Sequence, residues 1–246
     1  MRNWLPALLF FAMTEGAVAQ DTEWLVAPYL WYPDISLEQS SGGGGGIGGS
    51  DLLELTDAFG MIRIEGARGR WGATFDWMFL GMSDDRVVDL PLLAPGGQFL
   101  LRGEVDLTVI EFAGFYRPSG DETGIQALFG LRNISVDKLL LATPPLGGPT
   151  QRFEGDDDFT DVMLGARFLH RFNDRWDLSA RGDYSFGDSE GTVNLLGTVG
   201  FRFNDLFAMN LGYRYASLEY QDSDPGVAES TTIDLSGPIL GFLFRF

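Results

Sequence analysis

The chain has 246 residues, no cysteine, and 35 acidic against 17 basic residues, for a net charge of −18. That balance argues against nucleic acid or an anionic membrane surface as a partner, and the lack of cysteine excludes disulfides and thiolate metal sites. Aromatic residues reach 13% and glycine numbers 33, a mixture that suits many strands joined by tight turns.

The first segment, residues 1–19, carries Arg2, then an apolar run from Trp4 to Met13, then small residues at Ala17 and Ala19. This pattern predicts a secretory signal peptide cut after Ala19. The run is too short to span a bilayer as a helix, and no stretch of about 18 apolar residues follows it. One domain, residues 20–246, is expected beyond it.

From there the dominant period is two. In 71–82, Trp71, Ala73, Phe75, Trp77 and Phe79 share one face, and Gly72, Thr74 and Asp76 share the other. Segments 176–187 and 192–203 alternate in the same way. Such patterning reads as strand. In chain order it predicts strands near 23–33, 57–68, 71–82, 100–117, 124–137, 159–172, 176–187, 191–204, 206–220 and 232–246. Most are longer than the five or six residues usual in soluble sheets. They match the roughly 9–11 residues of a tilted strand that crosses an outer membrane.

The predicted connections alternate between short ones, such as 69–70 and 173–175, and long ones, such as 34–56, 83–99 and 138–158. Short periplasmic turns and long outer loops are the habit of outer-membrane barrels. The terminal strand sets Phe242, Phe244 and Phe246 on one face, toward lipid, and Leu243 and Arg245 on the other, toward the lumen. Trp24, Trp71, Tyr116 and Trp176 fall at turn-side strand ends, as an aromatic girdle requires. The expected fold is all-β: a single antiparallel transmembrane β-barrel of about ten strands, with short periplasmic turns and longer acidic outer loops. The count becomes eight or twelve if the fourth strand or the first loop divides differently. A soluble β-sandwich would explain the alternation but not the strand length, the leader and the terminal Phe together.

The stretches "APYLWYP" (27–33), "EGARGRWGATFDWMFLGMSD" (65–84), "DRWDLSARGDYSFG" (174–187), "LGYRYASLEY" (211–220) and "GPILGFLFRF" (237–246) resemble a family of uncharacterised proteobacterial outer-membrane β-barrel proteins. The resemblance implies the Gram-negative outer membrane, reached by Sec-dependent export. It also implies recognition of the Phe242, Phe244 and Phe246 strand by the barrel-assembly machinery, and it brings no catalytic residues.

Parity assigns the charges. Arg63, Arg132, Arg167, Arg171, Arg181, Arg202 and Arg214 fall on the predicted lumen face with Glu65, Asp76, Glu104, Asp106 and Asp183. An isolated buried ion costs several kcal/mol, so charges in a narrow lumen must pair. The planar fork of Arg suits that role, and Lys138 is the only lysine. Glu111 stands on the opposite parity from Glu104 and is expected to face lipid unless a β-bulge intervenes.

The outer connections hold most of the excess acid, including Asp84 and Asp85, then Asp156, Asp157 and Asp158, then Asp222 and Asp224. Carboxylate oxygens suit hard divalent cations that could bridge to lipopolysaccharide phosphates. The spacing matches no calcium-loop repeat, and solvated surface charge is the simpler reading. "SSGGGGGIGGSD" (40–51) lacks the ending of a phosphate loop and reads as a flexible tip, and its tail, 51–59, as a short helix or strand extension on the rim. His170, the only histidine, falls near the turn side on the lipid-facing parity, where it cannot serve an outer-rim nucleophile. These observations predict a non-enzymatic barrel without cofactor or metal, its lumen largely closed by Arg–Asp/Glu pairs, with a structural or surface role. The alternative is a narrow channel for small ions or solutes. Its expected partners are outer-membrane lipid and lipopolysaccharide.

Overall fold

The computed structural model describes residues 22–39, 44–89, 98–143, 150–221 and 230–246. The expected signal peptide, 1–19, lies outside them. In chain order the elements are β1 (Glu23–Trp31), β2 (Asp34–Gln39), β3 (Gly44–Ile47), α1 (Gly49–Leu55), β4 (Thr56–Arg68), β5 (Trp71–Asp89), β6 (Gln98–Tyr116), β7 (Gly124–Thr143), β8 (Gln151–Arg171), β9 (Trp176–Gly187), β10 (Gly191–Arg202), β11 (Phe207–Gln221) and β12 (Ser230–Arg245). Among the described residues, β1 and β4 to β12 pair in sequence, all antiparallel, and β1 pairs with β12 to close the wall. The barrel has ten strands, as the alternation predicts. Closure satisfies every ladder internally, which lipid demands.

β2 continues β1. Trp31 faces Ile239 and Asp34 faces Ser236, so the register on β12 is unbroken. Only Tyr32 and Pro33 separate the two strands; the Tyr32 N–H still donates to the Pro238 carbonyl at 3.0 Å, and Pro33 has no N–H to give. β3 then pairs with β2 as an outer hairpin, and α1 folds back with Leu52 buried and the Gly49 N–H donating to Asp34 at 2.5 Å. The flexible tip expected over 40–51 is thus corrected for Gly44–Ile47, which is strand. Glycine adds no side chain that would crowd a hairpin at the rim.

The turn-side connections are tight for local reasons. Gly69 has φ 59°, a region that favours residues without Cβ. Asn173 accepts the N–H groups of Arg175 and Trp176 at 2.9 and 3.0 Å, and Asn204 accepts those of Leu206 and Phe207 at 2.9 and 2.8 Å. Both are Asn-centred turns, written into the sequence as "ND".

Strands β5 to β8 have 19, 19, 20 and 21 residues, about twice what crossing requires. The excess carries the wall past the bilayer on the loop side. Along the membrane band the outer face is apolar and exposed: Phe75, Ile110, Phe112, Phe129, Leu131, Val162, Leu164, Leu211 and Tyr213 all point outward. The turn-side edge of that band is ringed by Trp71 against Tyr116 (4.7 Å), Trp176 against Phe201 (4.9 Å) and Phe207 against Phe244 (5.4 Å). Phe244 and Phe246 are exposed on the outer face.

Candidate functional site

The lumen is built from the inward parity of each strand, and it holds two zones. On the turn side and at mid-height the lining is ionic. Glu122, in the β6–β7 turn, accepts from Arg171 at 2.5 Å and lies 3.2 Å from Arg245. Burial pushes its carboxyl upward, but the Arg245 and Arg171 charges overcome that and hold it below its ordinary range. Arg202 lies in the same region, with Nε and Nη2 buried and unpartnered among the described residues.

One level in, Arg167 of β8 grips Glu65 of β4 with two parallel bonds, 2.6 and 2.8 Å, and also donates to Gln126 at 2.6 Å. β4 and β8 stand nearly opposite each other in the wall, so this pair spans the lumen. Beneath it the Phe115 ring carries Arg117 and Arg167 over its face at 5.2 and 5.0 Å.

The centre is a crossed set. Glu111 accepts from Arg132 at 2.8 Å and from Arg181 at 2.6 Å. Asp183 accepts from Arg181 at 2.7 Å, from Arg132, and from the Asn194 amide at 2.8 Å. All four charged groups are buried. Alongside, Arg63 and the Tyr29 hydroxyl both bond Asp76, at 2.7 and 2.6 Å. Ser185 and Ser189 satisfy Asp161. Pairing of this kind is what makes buried charge tolerable.

Above the centre the lining becomes apolar. Trp31, Ile35, Leu37, Met78, Met82, Val105, Leu107, Val109, Ile134, Val136, Ala216, Leu218, Ile233 and Leu235, with Thr192, Lys138 and Tyr220, line a chamber of about 320 Å³ in the loop-side half. Its floor is Arg132, Asn194 and Arg214. The Nε of Arg214 donates to the Asn194 carbonyl at 2.8 Å, and its guanidinium lies 4.4 Å over the Trp31 ring.

The structure therefore brings together Arg63, Glu65, Asp76, Arg132, Arg167, Arg181 and Asp183, with Arg214 at the upper edge and Arg171 and Arg202 at the turn side. Glu104 and Asp106 are corrected: they lie on the outer face, where Glu104 accepts from Arg102 at 2.8 Å. The reason is register. β6 pairs without interruption to β5 and β7, so no bulge intervenes, and the inward position of Glu111 forces Val105, Leu107 and Val109 inward as well. Glu111, expected to face lipid, is an anchor of the network. Parity was sound here; the polarity assigned to each parity was not.

The acidic positions are corrected too. Asp84 and Asp85 lie in β5, and Asp156, Asp157 and Asp158 in β8. They are strand residues, not loop residues. Neighbours in a strand point to opposite faces, so the carboxylates diverge; Asp157 pairs with Lys138 at 2.7 Å. No group of three or more His, Asp or Glu among the described residues could hold a metal ion. Asp222 and Asp224 lie outside the described residues. His170 sits on the outer face against Phe168 and Phe172. Tyr29, Gln126 and Asn194 escaped sequence reading, since neutral polar residues give no charge signal.

No protein-family model matches the chain, and no curated protein matches it in sequence. Among solved structures it is similar to the outer-membrane protease OmpT from Escherichia coli, with 8% identity, 94% of this chain and 99% of that chain covered, and a TM-score of 0.51. The translocator domain of the autotransporter NalP from Neisseria meningitidis (15% identity, 92% and 88% covered, TM-score 0.42) and the attachment invasion locus protein Ail of Yersinia pestis (10%, 92% and 98%, 0.38) are further neighbours. At 8% identity the likeness to OmpT is one of fold alone. With the closed wall, the apolar belt and the ionic lumen, it defines the class: this is a transmembrane β-barrel protein of the Gram-negative outer membrane.

Proposed function

We propose that the barrel is non-enzymatic and non-conducting, its lumen stoppered by Arg–Asp/Glu pairs, and that it serves a structural or surface role at the outer membrane as a member of the proteobacterial family its motifs resemble. One observation carries this reading. The Arg167–Glu65 grip crosses the lumen, directly beside the crossed set of Arg132, Arg181, Glu111 and Asp183, so side chains occupy the axis at two successive levels. A ten-stranded barrel is narrow enough for its own side chains to fill. A rim hydrolase would require a base near an outer nucleophile, whereas His170 is on the outer wall near the turns. The outer belt would meet lipid and the loop-side rim lipopolysaccharide, and the Phe242, Phe244 and Phe246 strand would present the assembly signal.

Planar-bilayer recording tests the stopper. Wild-type protein should give no steady conductance, and Glu65→Ala with Arg167→Ala should raise leak events. A reproducible open conductance in wild type, shifted by Arg132→Ala or Arg167→Ala, would establish the narrow-channel reading instead.

A further inference from the structure

The apolar chamber has features that a structural stopper does not need. A lumen filled only for stability would be packed to interior density, without a void of hundreds of cubic ångströms. Here about 320 Å³ stays open between Val105, Leu107, Val109, Ile134, Val136 and Leu235, within the size range of small-molecule sites. The floor carries a fixed positive charge. Of the three cations that line the chamber, Arg132 is matched by Glu111 and Asp183 and Lys138 by Asp157, but Arg214 has, among the described residues, a single hydrogen-bond acceptor, the neutral Asn194 carbonyl, and no ion pair. Its stacking on Trp31 fixes the guanidinium plane, and its remaining N–H groups are free to take two oxygens at once.

We infer that the chamber binds a small amphipathic carboxylate, with the head group on Arg214 at the floor and the apolar tail rising along the aliphatic walls. The chamber stands at the lower end of the roughly 300–1,000 Å³ of small-molecule sites, a size that suits a medium-chain fatty acid or a small aromatic acid. Arg214 fixes the orientation: a cationic head would meet like charge, and a neutral alcohol would leave the guanidinium without its counter-ion. The inference rests on the closed floor proposed above, because an open pore would hold no static site.

Equilibrium dialysis of labelled decanoate against the barrel in phospholipid nanodiscs, with empty nanodiscs as the partitioning baseline, tests it. Wild type should bind decanoate saturably at one per barrel and more tightly than decanol. Arg214→Gln should weaken decanoate at least tenfold while leaving decanol unchanged. Ala216→Phe, or Val109→Trp should the first fail to show the heat-modifiable migration of a folded barrel, should abolish both by filling the chamber. Absence of saturable binding overturns the inference, as does decanoate binding that is indifferent to Arg214→Gln or to a folded chamber-filling variant. A barrel that conducts overturns the stopper, whereas a silent barrel that takes up no decanoate overturns only the ligand.

Discussion

Glu111→Gln is the sharpest test of the central network. Each Glu111 oxygen accepts one charged hydrogen bond, from Arg181 at 2.6 Å and from Arg132 at 2.8 Å, and the residue is 4% exposed. Glutamine preserves the shape but removes the charge, and it sets an NH₂ donor against a guanidinium donor. Charged hydrogen bonds contribute about 1.5–3 kcal/mol each and neutral ones about 0.5–1.5, so one bond lost outright and the other reduced to a neutral one suggest roughly 2–5 kcal/mol. Breaking one partner of a buried ion pair costs about 3–5 kcal/mol by independent reckoning, and the two ranges agree. Equilibrium urea unfolding in lipid vesicles, followed by tryptophan fluorescence and gel mobility, should therefore show a loss near the upper end of single-substitution effects. Adding Arg132→Met to Glu111→Leu leaves Arg181 with Asp183 and restores local neutrality. That double variant should lose less than the sum of its single changes, with a coupling of about 0.5–3 kcal/mol. A loss under about 1 kcal/mol for Glu111→Gln, or strict additivity in the cycle, would refute the claim that these four groups act as a unit.

Gly72→Ala should destabilise by about 1–3 kcal/mol through overpacking, because an added Cβ would meet the Phe115 ring at 2.1 Å. Gly103→Ala, which meets nothing within 4 Å, should stay within about 0.5 kcal/mol in the same unfolding assay. Glu122 sets an acid-side dependence. Its native carboxyl titrates below the ordinary value of 4.5, so its stabilising share is full above the unfolded value and is lost as pH falls through the native one. Wild type should thus exceed Glu122→Gln in stability at neutral pH, and the two should converge on acidification below the ordinary carboxylate range, as read by unfolding midpoints against pH. His170→Ala, which removes only ring contacts to Phe168 and Phe172, should leave thermal stability and gel mobility nearly unchanged.

How much of this was legible in the sequence depends on which side of the membrane surface a residue lies. Within the bilayer, period two and the polarity of each face give the same answer. Phe112 is outward and Glu111 inward, Leu131 outward and Arg132 inward, Phe244 outward and Arg245 inward. Strand existence, closure, girdles and most of the ionic set follow from that agreement. Beyond the bilayer the parity continues but the polarity inverts. β6 turns Glu104 and Asp106 out and Val105 and Leu107 in. β7 turns Ser135 and Asp137 out and Ile134 and Val136 in. β12 turns Asp234 out and Ile233 and Leu235 in. Water now lies outside the wall, so the hydrophobic effect drives the apolar side chains inward, as in a soluble barrel.

A single rule, charged means inward, fails at that boundary on Glu104 and Asp106, and a β6 parity fixed by those two residues puts Glu111 on the wrong face. The signal that would have found it is in the same strand: Arg102, Glu104, Asp106 and Thr108 share a face on which Ile110 and Phe112 follow. A face that changes from charged to oily partway along an unbroken strand is leaving water for lipid. The opposite face of β6 changes in the complementary sense, from Val105 and Leu107 to Glu111. The chamber lies where that inner face is apolar and the stopper where it is charged, so both come from the same crossing of the membrane surface.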